Sequence, residues 1–124
     1  MYKIFDNQLN KWIDHTLNSL CDMHMLDDFH DPDFQENYEQ DYKEYKAGKW
    51  NDEQKINYIE SRGYEVYELS REGFEKLAHN MLDKEGFIPT DWIIHDNGDI
   101  EHKDEDNYLY GFVPLDIVLL FNSK

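Results

Sequence analysis

The sequence predicts an α+β protein, with about four helices in the N-terminal two-thirds and a small antiparallel sheet in the C-terminal third. Three observations predict it. Apolar residues recur at helical spacing up to about residue 85. Short runs of β-formers replace that period beyond residue 90. Asn97-Gly98 separates two of those runs, and both residues tolerate the positive φ of a tight hairpin turn. With 124 residues and 40% apolar content, the expectation is one acidic globular domain over 1–124.

The first expected helix covers residues 4–25. Phe5, Leu9, Trp12, Ile13, Leu17 and Leu20 recur at three and four, and Asp6 fits as its N-cap. A second helix is expected over 33–46. Phe34, Tyr38, Tyr42 and Tyr45 make one aromatic face, with Asp41 inside the stripe and Asp33, Glu36, Glu39 and Glu44 pointing elsewhere. Gly48 suits its left-handed cap. A third helix runs over 52–62, opened by Asn51 with Gln54 at capping-box spacing, and closed at Gly63. Tyr64 to Leu69 reads as a strand, and Ser70 caps a fourth helix at 71–84. In that helix Phe74, Leu77, Ala78, Met81 and Leu82 follow the amphipathic template without a miss. The hairpin pairs Trp92–His95 with Ile100–Lys103. A strand at 108–112 and a short helix or turn at 114–121 complete the chain, Pro114 fitting either a helix start or a broken edge strand.

Charge excludes several functions. Twelve Lys and Arg against 28 Asp and Glu give −16, beyond the magnitude of about 2–8 usual for small domains. A basic nucleic-acid-binding module needs the opposite sign, as does docking on an anionic membrane. No apolar run approaches 18 residues, and the opening residues do not resemble a signal peptide. The single cysteine, Cys21, leaves no internal disulfide and suits a cytoplasmic location. An aromatic content of 15% argues against disorder.

Catalytic motifs are sparse. Asp22, His24, Asp27, Asp28, His30 and Asp31 gather metal-ligating types, but match no H-E-x-x-H or comparable spacing. A polar helix end is the expected reading, with neither metal nor cofactor. The Asp96–Glu101 stretch fails the calcium-loop template when registered on Gly98. No serine sits in a nucleophile elbow, and Cys21 is expected to be buried and inert.

The acids are clustered. Asp27, Asp28, Asp31, Asp33, Glu36, Glu39, Asp41 and Glu44 face one base, Lys43, within 18 residues. A second run, 96–106, holds six acids against Lys103. Such clustering suits electrostatic docking on a basic partner, with Tyr and Trp as anchoring area. The eight acids of 27–44 are the expected partner-binding residues.

The segment Leu26-Asp27-Asp28-Phe29-His30-Asp31-Pro32-Asp33-Phe34, continued from Glu36 to Tyr45, resembles phage and mobile-element inhibitors of the anti-CRISPR and antirestriction DNA-mimic type. The likeness is one of composition over a third of the chain. It implies a stoichiometric inhibitor without catalysis, acting in the host cytoplasm. The partner would be a basic nucleic-acid-binding protein, such as a CRISPR effector or restriction nuclease, with no direct contact to nucleic acid or membrane. Two other classes fit the same acids: a toxin-immunity protein plugging a basic nuclease toxin, and a small metal-dependent hydrolase using the His24/His30/Asp cluster.

Overall fold

A β-hairpin opens the chain where the apolar spacing predicts a helix. In the computed structural model, which describes residues 1–29 and 32–123, β1 (Tyr2–Asp6) pairs antiparallel with β2 (Lys11–Ile13). The register sets Phe5 opposite Trp12, ring centroids 5.2 Å apart and edge to face. Cross-strand partners seven residues apart imitate two helical turns, which is why the periodicity misleads here. Asp6 does cap backbone N–H groups, but those of a turn: its Oδ1 accepts from Gln8 N (2.9 Å) and Leu9 N (3.1 Å). Asn10 takes the left-handed φ of +54° that the turn requires. Leu9, expected on a buried face, is exposed at its tip. The real first helix, α1 (Leu17–Phe29), starts after Thr16, whose hydroxyl accepts from Ser19 N at 3.1 Å. His15 precedes the helix.

The described residues are α+β, with five helices and two small antiparallel three-stranded sheets. They divide into two compact units, Tyr2–Val66 and Tyr67 onward with Met1.

The first unit holds β1, β2, α1, α2 (Pro32–Lys46), α3 (Asp52–Ser61) and the start of β3 (Tyr64–Glu68), which pairs with β1. Its core is Ile4, Leu17, Leu20, Cys21, Ile59 and Val66, with Tyr45, Ile56, Tyr58 and Tyr64 packed around them. Fully burying side chains such as Leu20 and Ile59 stabilises by roughly 1.5–3 kcal/mol each. Helix α1 presents Leu17, Leu20, Cys21 and Met25 inward and packs on both α2 and α3. The expected capping box on α3 forms: Asn51 Oδ1 accepts from Gln54 N (2.9 Å), and Gln54 Oε1 accepts from Asn51 N (3.0 Å). Helix α2 bends at Tyr38, whose φ/ψ of −128°/24° is non-helical.

In the second unit α4 (Arg71–Lys84) starts at Ser70, whose Oγ accepts from Gly73 N at 3.2 Å. It buries Phe74, Leu77, Ala78 and Leu82 and packs on α5 (Leu115–Asn122), Phe74 lying against Phe121. Pro114 stands at the N-cap of α5, one residue before the expected first turn position. Strands β4 (Trp92–Ile94), β5 (Ile100–His102) and β6 (Tyr108–Leu109) form the second sheet in that order. The hairpin register, Trp92↔His102 and Ile94↔Ile100, is centred on the Asn97-Gly98 turn as the sequence predicts. Gly98 needs its missing side chain twice over: φ is +91°, and an added Cβ would stand 2.7 Å from Val113 O. No helix among the described residues is long and apolar enough to cross a membrane.

Candidate functional site

The acids expected to form one docking row are divided between two roles. Asp28 faces inward from α1. Its carboxylate accepts from the Arg62 guanidinium and the Tyr58 hydroxyl, and its side chain is only 14% exposed. It braces α1 against the end of α3. Asp27, its neighbour, is exposed. Asp33 is exposed in the first turn of α2, where the helix N-terminus favours a negative charge. Glu39 is exposed and pairs with Lys43 at 2.9 Å, which holds its carboxyl below the usual range. Asp41 is exposed. Glu44 is half-buried and accepts from Gln40 at 3.2 Å. Asp31 lies outside the described residues, as does the side chain of Glu36.

The aromatic stripe of α2 is divided as well. Tyr45 packs on the core, and its hydroxyl donates to Asp22. Burial first, then the Asp22 carboxylate, push that phenol well above the ordinary tyrosine range. Tyr42 is half-buried, while Tyr38, at the bend, is 50% exposed. Trp50 follows α2 and joins the two ends of an aromatic chain, 5.3 Å from Tyr45 and 5.8 Å from Tyr58. Its indole N–H is buried and has no acceptor among the described residues.

Two open clefts border Trp50. One, of about 530 Å³, is lined by Asn18, Asp22, Tyr42, Tyr45, Lys46 and Lys55 among others. The second, of about 540 Å³, is lined by Tyr38, Asp41, Gln54, Asn57, Tyr58 and Arg62 among others. Both volumes lie in the range of ligand-accepting pockets. Sequence reading found the stripe but missed Trp50 and Arg62 as its continuation, because their proximity depends on how α3 packs against α1.

The second acidic run decorates the β4–β5–β6 sheet of the other unit. Asp96 pairs with Arg71. Asp99 accepts from Gly111 N at 2.6 Å and from Asn97, and these bonds hold its carboxyl below the usual range. Glu101 meets His95 at 3.2 Å, His95 stacks on Tyr108, and Tyr110 beside it is 82% exposed. Asp104, Glu105 and Asp106 are exposed in the β5–β6 loop.

His24, from the metal-ligating cluster, faces Tyr64, with Nε2 2.9 Å from the phenolic oxygen. Its companions His30 and Asp31 lie outside the described residues. Among the described residues no three His, Cys, Asp or Glu side chains are placed to hold a metal ion. Cys21 is buried, and that burial raises its thiol to about 11. His79 is half-buried on α4 with Nδ1 lacking a partner among the described residues. No protein-family model matches this chain, nor does any curated protein or solved structure.

Proposed function

We propose that this protein is a stoichiometric inhibitor that docks its acidic α1–α2 surface on the basic nucleic-acid-binding cleft of a host defence enzyme, as DNA-mimicking anti-CRISPR and antirestriction proteins do. The observation that carries this reading is that Asp27, Asp33, Glu39 and Asp41 are exposed, as is Tyr38 by half, while Asp28 turns inward to Arg62 and Tyr58. Repulsion among exposed like charges is a cost that folding does not require here, and a basic partner relieves it.

Charge density bears on how such a surface competes. Duplex DNA carries one negative charge per roughly 1.7 Å of axis. Carboxylates one helical turn apart stand roughly 5.4 Å apart. Helix α2 alone is thus a sparser row than DNA. Competition with nucleic acid then depends on aromatic anchoring area as well as on charge.

The test uses cleavage assays with purified guide-RNA effectors and restriction endonucleases, titrated with the full chain. Inhibition saturating at one protein per enzyme, relieved by excess nucleic acid, supports the reading. The triple variant Asp27→Lys, Asp33→Lys, Glu39→Lys should slow association about tenfold or more at low salt and flatten its salt dependence. A target bound equally fast by the triple variant would overturn the docking role of this surface and direct the search to residues 96–106.

A further inference from the structure

We propose that the cleft lined by Tyr38, Trp50 and Tyr58 receives an arginine side chain of the basic partner, with Asp41 as its counter-charge. The inference rests on the docking reading above and names its anchor.

Four observations lead there. First, the cleft is open and about 540 Å³, ample for one long side chain, and its aromatic walls come from three different segments. Ring faces attract cations, and a planar guanidinium stacks on them. Second, Asp41 is exposed and makes no ion pair or hydrogen bond among the described residues, so its acceptor capacity is unused. Asn57 on the same wall adds an amide carbonyl in the same condition. Third, the wall already holds one guanidinium by this chemistry. Arg62 lies 5.5 Å over the Tyr58 ring and pairs with Asp28. That pair is neutral as a unit, which leaves Asp41 to set the sign of the cleft. Tyr38, Trp50 and Asp41 bring the same residue types, aromatic ring and carboxylate, to this cleft. Fourth, the neighbouring cleft is unsuited to a cation: Lys46 and Lys55 line it, and its carboxylate, Asp22, is engaged by the Tyr45 hydroxyl.

Arginine is favoured over lysine because its flat fork stacks and donates at the same time, to Asp41 and to the Asn57 carbonyl. The first unit carries 15 acids against seven bases, so its field draws a cation toward the cleft. The bend at Tyr38 sets the exposed phenol at the cleft's edge, where a continuous helix would follow a different path.

The experiment is an NMR titration of the ¹⁵N-labelled full chain with acetyl-Gly-Arg-Gly-amide. Lysine and citrulline versions serve as comparisons, citrulline being the neutral isostere of arginine. Shifts should concentrate on Asp41, Asn57 and the Trp50 indole N–H. The arginine peptide should bind about threefold or more tighter than the lysine peptide, and the citrulline peptide should not saturate. Asp41→Asn, an exposed change that leaves the core untouched, should weaken the arginine peptide about fivefold. Equal responses to arginine and citrulline, or an unchanged affinity in Asp41→Asn, would overturn the proposal. Its failure is separable from that of the docking reading. If the Lys triple variant slows docking while the peptide affinity ignores Asp41, the surface stands and the cleft falls. If Asp41→Asn weakens the peptide while the triple variant docks at the normal rate, the cleft stands and the acidic row falls.

Discussion

Asp27 and Asp28 are adjacent acids, and exchanging each for asparagine should give opposite results. Asp28 is 14% exposed and holds Arg62, itself 35% exposed, together with the Tyr58 hydroxyl. Removing one partner of a fully buried pair costs about 3–5 kcal/mol, and an exposed pair contributes about 0–1. The Asp28–Arg62 pair lies between, so Asp28→Asn should lose about 2 kcal/mol. The loss comes from a half-buried guanidinium left without its counter-charge. At roughly 4 °C per kcal/mol for a chain of this size, Tm should fall by about 8 °C. Asp27 is exposed, and Asp27→Asn should stay within about 0.5 kcal/mol while relieving one charge of the −16. Urea unfolding of both variants, compared by midpoint at constant m, measures the difference. Equal stabilities would refute the division of these acids into bracing and docking groups. A matching functional split follows: once a target is in hand, Asp27→Asn should slow association, and folded Asp28→Asn should not.

Gly73→Ala reverses the usual helix preference. Alanine normally gains about 1 kcal/mol over glycine in a helix, but here the new Cβ would stand 1.6 Å from Glu68 O. A loss above about 3 kcal/mol is expected, against about 1 for Gly86→Ala, where only the φ of +86° is strained. Urea midpoints compare them, and equal costs would count against the close approach. Cys21 gives a pH dependence. Its folded thiol, at about 11, lies above the ordinary value of 9.0, so its contribution is complete below pH 9 and is lost as pH rises toward 11. Between pH 8.5 and 9.5 the wild type should lose about 0.7 kcal/mol that Cys21→Ala does not. Identical pH profiles would remove burial as the cause. Added sodium chloride should raise Tm by screening repulsion, and magnesium or calcium should do no more than their ionic strength predicts. A saturable shift with one divalent ion would instead indicate a metal site.

Local chemistry was legible wherever a feature depends on a few neighbouring residues. Asn51 with Gln54, Ser70, and Asn97-Gly98 all act as read, because capping and turn formation involve groups within three or four residues of one another. Helix α4 was legible in full because its apolar face has a single period along one continuous helix. The opening hairpin was not. Phe5 and Trp12 satisfy a helical count and a cross-strand pairing equally well, and only the packing of Ile4 with Leu17 and Val66 distinguishes them. The same limit divides the site. Sequence sets the number and clustering of carboxylates, since charge is a sum over residues. Which carboxylate is exposed, and which is held by a guanidinium 34 residues away, is decided by α1 meeting α3. Burial and pairing depend on distances between segments, and those exist only once the chain has folded.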